Sequence, residues 1–334
     1  MAKYIVVGNN QEWCYYSWRD YINQHNDSVL YFKSFIPVSR LSIINKLCNH
    51  HFTNKSESIV RNIFAPLYYW LILMALKTKI QETTFLIIYD WNVYTRELDL
   101  FVYIKKHLPK IKLVYIFTNI VAISGAKKNG IAEKLTDVFD YIYAFDKLDS
   151  KQYGFRFHPL IYAGGKLPQY NKLEYDVFYI GNAKDRLCKL HEVYKKCIEA
   201  NLKCKFFIVG VPKEEQVYNG IDYNHSLTYG EALDYIARSR CIIDVIQGNS
   251  SAMTIKVCEA VLYDKKIITS NKNVKEEIFY HPNNILVYDD RCTAEVIEAF
   301  LNQNSEPYSN EDKQLFSPDL LLADLYSYSE KEII

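Results

Sequence analysis

Short apolar runs recur along the chain, and between them lie longer stretches in which apolar positions return every three or four residues. Short runs suit strands buried on both faces, the longer stretches suit amphipathic helices, and their alternation predicts parallel βαβ units. In the first half the pattern predicts strands at 3–8 (Lys-Tyr-Ile-Val-Val-Gly), 28–32, 84–89 (Thr-Phe-Leu-Ile-Ile-Tyr), 112–117 and 141–145. Helices are expected there at 13–24, 59–77, 95–107 and 130–138. A second series opens at Tyr175-Asp-Val-Phe-Tyr-Ile-Gly181, with further strands at 204–209, 241–246, 265–269 and 285–288. Its helices are expected at 184–200, 229–239, 254–263 and 293–302.

Between the series, Ala163-Gly-Gly-Lys-Leu-Pro-Gln-Tyr-Asn171 has no periodicity and reads as a hinge. The fold class expected is α/β, with two Rossmann-like doubly wound parallel-sheet domains facing a cleft. The domains are placed at 1–164 and 174–310, with a linker at 165–173. Residues 311–334 hold a capped final helix at 316–327, free to pack back on the first domain.

Composition supports this picture: 334 residues, 49% apolar and 24% charged, suffice for two soluble domains with separate cores. The 29 tyrosines and 17 phenylalanines are a heavy aromatic load, read first as the codon preference of a low-GC genome. Eight cysteines show no CxxC pair and no metal-ligand spacing, and several sit inside apolar runs, which points to reduced core thiols. The opening Met-Ala-Lys-Tyr-Ile-Val-Val-Gly passes straight into a strand, without the regions of an export signal, so a cytoplasmic location is expected.

Charge is less even than the net +1 suggests. Residues 1–164 carry 20 Lys and Arg against 13 Asp and Glu, and the remainder carry 20 against 26. Most of the basic surplus lies in 33–79, which holds seven basic residues and one acidic residue, Glu57. Such a patch suits an anionic surface or ligand; no basic recognition helix accompanies it, so no nucleic-acid partner is expected. The same region contains Ile63–Leu76, an uncharged run of 14 residues that includes Pro66 and is short of the ~20 needed to span a bilayer. It is read either as a buried helix of the first domain or as an interfacial helix in peripheral contact with the inner face of the cell membrane.

Two loops of the second half carry the candidate chemistry. After strand 175–181 comes Gly181-Asn-Ala-Lys-Asp-Arg186, a turn and helix start whose backbone amides, with Lys184 and Arg186, suit a diphosphate. The alternative is a solvated charged first turn. After strand 241–246 comes Gln247-Gly-Asn-Ser-Ser-Ala-Met-Thr254, a polar loop with Asn249 and Ser250 that leads to Thr254 as N-cap. Ile255, Cys258, Val261 and Leu262 are expected to pack inward. Lys256 opposes the helix dipole, a cost of ~0.3–1 kcal/mol unless an anion sits nearby, and Glu259, one turn deeper, could accept from ribose hydroxyls. A plain ion pair between Lys256 and Glu259, at i and i+3, is the competing reading.

The arrangement YDVFYIGNAKDR, CKFFIVGVPKEEQ and SRCIIDVIQGNSSAMTIKVCEAVLYDKKIITSN resembles the C-terminal domain of GT-B glycosyltransferases from bacterial capsule, exopolysaccharide and lipopolysaccharide clusters. The likeness covers about residues 84–300, most firmly the second half. It implies a hexosyltransferase-like enzyme that moves a sugar from a nucleotide sugar, UDP-linked in the commonest case, to a glycan or lipid-linked glycan of the cell surface. It also implies ribose binding at Glu259 and phosphate contacts at Arg186, Thr254 and Lys256. Many retaining members carry a second glutamate eight positions before the ribose-binding one; Ser251 stands there, so the stereochemistry stays open.

In the first half, strand 84–89 ends at Asp90-Trp91-Asn92, and Glu12 follows the first strand. An inverting transfer needs a base for the acceptor hydroxyl, and Asp90, then Glu12, are the candidates. His158 is a further polar residue that either lines the cleft or is structural. No cofactor or metal is expected: Asp289-Asp290 reads as a turn, and basic side chains would meet the leaving-group charge. A nucleotide-sugar epimerase and a non-catalytic nucleotide-sugar or glycan-binding partner subunit are the alternatives.

Overall fold

The computed structural model describes residues 3–8, 11–33, 36–53, 59–80, 83–90, 97–121, 131–248 and 250–331. The chain forms two compact units, Met1–Pro159 and Leu160–Ile334. The expected linker 165–173 and the C-terminal residues 311–334 therefore fall in the second unit.

In the first unit, β1 (Tyr4–Val7), β2 (Val29–Phe32), β3 (Thr84–Tyr89), β4 (Ile111–Ile116), β5 (Tyr141–Ala144) and β6 (Arg156–Phe157) form one sheet. Their order is β2-β1-β3-β4-β5-β6 and every pairing is parallel, Val6 lying between Tyr31 and Ile87. Every residue of β1 and β3 is buried, as apolar runs covered on both faces require. The described helices are α1 (Glu12–Gln24), α2 (Ser42–Thr53), α3 (Ile59–Lys77), α4 (Glu97–His107), α5 (Ile131–Val138) and α6 (Lys147–Tyr153). Ile72 and Leu76 of α3 and Phe101 and Ile104 of α4 join Ile5, Leu86, Ile88 and Leu113 in the core.

The second unit repeats the design. Strands β7 (Tyr175–Asn182), β8 (Cys204–Val209), β9 (Ile221–Tyr223), β10 (Ser239–Asp244), β11 (Lys266–Thr269) and β12 (Ile285–Val287) are parallel, in the order β12-β11-β10-β7-β8-β9. Helices α7 (Leu187–Glu199), α8 (Tyr229–Ala237), α9 (Ile255–Leu262), α10 (Ala294–Asn302), α11 (Asn310–Gln314) and α12 (Pro318–Lys331) complete it. Leu190, Val193 and Cys197 of α7 pack with Phe206, Ile208, Ile243, Ile297 and Phe300. All eight cysteines are free thiols, six of them buried. No described helix is long and apolar enough to cross a membrane.

Candidate functional site

β7 and β10 lie side by side, yet the chain runs from β7 to β8 and β9 on one side and from β10 to β11 and β12 on the other. The loops leaving their carboxyl ends part at this switch point, where doubly wound sheets take ligands. These are the two loops singled out from the sequence, and hydrogen bonds join them. Lys184 donates to Gln247 Oε1 at 2.8 Å, and the Gly248 N–H donates to Asp185 Oδ2 at 3.0 Å. Gly248 has φ 51, open to glycine without strain, whereas Lys184 reaches φ 49 at a cost of about 1 kcal/mol or more.

Arg186 spans the gap. Its Nη1 donates to the Val245 carbonyl at 2.5 Å, and its Nε and Nη2 donate to the Asn182 carbonyl at 3.2 and 3.0 Å. These acceptors are neutral, so the guanidinium is positioned but not neutralised, and two of its five N–H groups are left over. Asp244, at the end of β10 and 1% exposed, accepts from Thr254 Oγ1 at 3.0 Å and Thr269 Oγ1 at 2.8 Å. The first bond decides the state of α9. Thr254 has the extended backbone of an N-cap, but its hydroxyl is turned to Asp244 and caps nothing. Thr228 and Thr293, by contrast, do cap α8 and α10. The amides of Ile255 and Lys256 thus have no partner among the described residues.

Lys256 is half-buried, with its ammonium 5.4 Å from the centre of the Tyr179 ring. It makes no hydrogen bond or ion pair among the described residues. Burial lowers its pKa, the nearby charges of Asp244 and Glu259 oppose that, and Arg186 reinforces it. Tyr179 beneath it is fully buried, its hydroxyl has no hydrogen-bond partner among the described residues, and burial pushes its pKa up to about 12. A Cβ at Gly181 would stand 2.7 Å from that hydroxyl and 3.5 Å from Arg186 Nη2. Arg186, Lys256 and the Tyr179 hydroxyl therefore converge on one place, at the open end of α9.

Glu259, one turn on, is 4% exposed. Val257, Cys258, Ala260 and Val261 are buried with it, while Ile255 and Leu262, expected inside, are half-buried. Tyr229 donates to Glu259 Oε1 at 2.5 Å; Tyr162 lies 2.7 Å from Tyr229, Tyr263 3.0 Å from Tyr162, and the Gly165 N–H donates to Tyr263 at 3.3 Å. Each hydroxyl has one proton, so with Tyr229 committed to the carboxylate the donors run Tyr263, Tyr162, Tyr229, Glu259. Burial raises the Glu259 pKa to about 7, against the opposing pull of Tyr229 and Lys256. Ser250 is half-buried and accepts from the Ala252 N–H at 3.3 Å. Asn249 lies outside the described residues.

The first sheet has its own switch point between β1 and β3, and both predicted bases lie there. Glu12 opens α1 and is exposed. Asp90 follows β3, where its carboxylate accepts from Thr118 N at 3.1 Å, Thr118 Oγ1 at 2.5 Å and Asn119 N at 3.2 Å. Three donors occupy it, an arrangement that fastens the end of β4 to β3 and suits an anchor more than a proton acceptor. Trp91 and Asn92 lie outside the described residues, and His158 is buried with Nδ1 2.6 Å from the Pro159 carbonyl.

Sequence reasoning missed Asp244, Tyr179 and the three hydrogen-bonded tyrosines. Asp244 did leave a signal, since a carboxylate inside Cys241-Ile-Ile-Asp-Val-Ile246 must be buried and therefore partnered.

The chain matches no protein-family model and no curated protein. Solved structures do resemble it. An α,α-trehalose-phosphate synthase (UDP-forming) from Burkholderia vietnamiensis matches with a TM-score of 0.56 and 10% identity, over 100% of this chain and 99% of that one. A trehalose-6-phosphate synthase studied for glycosyl transfer with retention matches at 0.53 and 11%, over 100% of both chains. The structure of accessory secretory protein 1, 2 and 3 from Streptococcus pneumoniae matches at 0.51 and 11%, over 80% of this chain but only 57% of that one. At such identities the likeness shows the fold, two Rossmann-like units of the GT-B glycosyltransferase type.

Proposed function

We propose that the chain is a glycosyltransferase that moves a sugar from a nucleotide-sugar donor, most simply a UDP-sugar, to a glycan or lipid-linked glycan acceptor in surface-polysaccharide synthesis. The observation that carries this reading is the ammonium of Lys256, unpaired among the described residues, at the uncapped start of α9 beside Arg186. A half-buried cation without a partner is costly, and an anion held by it and by two open amides removes that cost. The donor diphosphate is assigned to Ile255 N–H, Lys256, Arg186 and, at the rim, Lys184, with Gly181, Ser250 and Thr254 shaping the loops. The ribose is assigned to Glu259. Positive groups fixed where the leaving diphosphate gains charge supply the stabilisation such a transfer needs, and we assign that role to them without a metal or cofactor.

Glu12 takes precedence over Asp90 as the base of an inverting transfer, because it is exposed while Asp90 is bound by three donors. An acceptor built on a lipid carrier would be met at the inner face of the membrane, from the cytoplasm.

The test is a thermal-shift screen of nucleotides and nucleotide sugars on the purified protein, repeated with Lys256→Ala. A stabiliser whose effect is lost in the variant supports the reading; no response to any nucleotide removes its basis. The likeness to the accessory secretory protein structure favours one second reading, a non-catalytic subunit that binds the same ligand within a larger assembly. Release of UDP only when an acceptor is added separates the two.

A further inference from the structure

Large exposed apolar residues of the first unit are concentrated in one stretch of its sequence. Among the described residues nineteen are exposed, and seven of these (Leu41, Ile43, Leu47, Ile63, Phe64, Leu67 and Trp70) lie within thirty positions, with 46–67% of their surface open. On α3 the distribution is ordered. Ile72, Leu73 and Leu76, in its second half, are buried in the core. In its first half Tyr68 and Tyr69 lean on the core, whereas Ile63, Phe64, Leu67 and Trp70 form a stripe at helical spacing that faces outward. The helix thus satisfies neither expectation alone: one half is core and the other is an uncovered apolar face. α2 repeats this on a smaller scale, with Cys48 buried and Ile43 and Leu47, one turn apart, exposed.

The charge of the same stretch identifies the occupant of these faces. Lys33, Arg40, Lys46 and Lys77 are exposed, and Arg40, Lys46 and Lys77 form no ion pair among the described residues. Glu57 is the one acidic residue in 33–79. A second copy of the chain would bring the same positive charge to its own basic rim. Exposed apolar side chains in a stretch that also carries exposed cations match a bilayer interface, where Trp, Phe and Leu enter the headgroup–acyl boundary and Lys and Arg meet anionic headgroups. We propose that the outward apolar stripe of α3, with the exposed apolar residues of α2, is a docking surface for a lipid bilayer that carries anionic headgroups. The proposal stands on the surface alone and is independent of the donor site.

The experiment co-sediments the full chain with vesicles of phosphatidylcholine alone and of phosphatidylcholine mixed with phosphatidylglycerol, at low and high salt. Binding is expected on the mixed vesicles and to weaken with salt. Combined Phe64→Gln, Leu67→Gln and Trp70→Gln should reduce it about tenfold or more. Combined Arg40→Gln and Lys46→Gln should reduce it about fivefold per cation, on the anionic vesicles only. A blue shift of tryptophan fluorescence on adding mixed vesicles should vanish in Trp70→Phe, which keeps the apolar face and guards against loss of fold. Urea midpoints and the response to nucleotides should be unchanged in all these variants, which separates this test from that of the transferase reading. Failure to bind anionic vesicles at low salt, or equal binding by every variant, overturns the proposal. So does a concentration-dependent dimer that the triple variant makes monomeric, since a second copy would then cover the face.

Discussion

Glu259 allows a worked test of the site's electrostatics. Its carboxyl group, 4% exposed, is held near pKa 7 by burial, against an ordinary value of 4.5. A carboxyl whose folded pKa is raised binds more protons folded than unfolded between those values, so stability falls as pH rises. The destabilisation is absent below about pH 4.5 and complete above about pH 7. At ~1.36 kcal/mol per unit, the rise from 4.5 to about 7 corresponds to roughly 3 kcal/mol. Glu259→Gln keeps an acceptor for Tyr229 and has no charge to bury. Its stability advantage over the natural chain should therefore grow by roughly 3 kcal/mol between acid and pH 8. Urea unfolding of both full-length proteins, at several pH values across that window, reads the difference directly. Tyr229→Phe removes a donor to the charged form and should move the window to higher pH. If ribose hydroxyls bind Glu259, they too favour its charged form, and UDP affinity should increase as pH rises through about 7. A wild-type-to-variant difference that stays flat with pH would refute the reasoning, because Glu259 would then be ionised against Lys256 throughout.

Three further outcomes follow from the geometry. Gly181→Ala places a Cβ 2.7 Å from the Tyr179 hydroxyl and should cost about 1–3 kcal/mol in chemical denaturation, with part recovered by adding Tyr179→Phe; no recovery would place the strain elsewhere. Asp244→Ala strands the hydroxyls of Thr254 and Thr269 and should cost about 2–4 kcal/mol; it should also leave Thr254 free to cap α9, so that nucleotide binding weakens as well. Glu12→Gln should lower kcat about 100-fold or more, whereas Asp90→Asn should leave kcat closer to that of the natural chain and shift the unfolding midpoint; a larger loss of kcat in Asp90→Asn than in Glu12→Gln would return the base to Asp90.

Much of the fold was legible because each parallel strand, covered on both faces, leaves an apolar run that local reading detects. β3 at Thr84–Tyr89 and β8 at Cys204–Val209 stand at the predicted residues, and α3 at Ile59–Lys77 has its predicted limits. β6 and β9, two and three residues long, have too few positions to make a pattern. α2 was missed because Asn, His and Thr give its stretch little helical bias, and tertiary packing around Cys48 overrides that. In the site, Arg186, Lys256 and Glu259 were readable as charges beside turns that follow apolar runs.

The order of hydrophobic and polar residues thus determined by itself that the chain would build two sheets of parallel strands with charged loops after β7 and β10. That is local information, carried by residues a few positions apart. Only the tertiary structure decided that those two loops leave adjacent strands in opposite directions, that Asp244 draws Thr254 off the start of α9, and that Tyr162 reaches Tyr263 across 101 positions to complete the chain of hydroxyls on Glu259. Such contacts depend on which strands pair and on where burial places a polar group, and no periodicity along the chain encodes either.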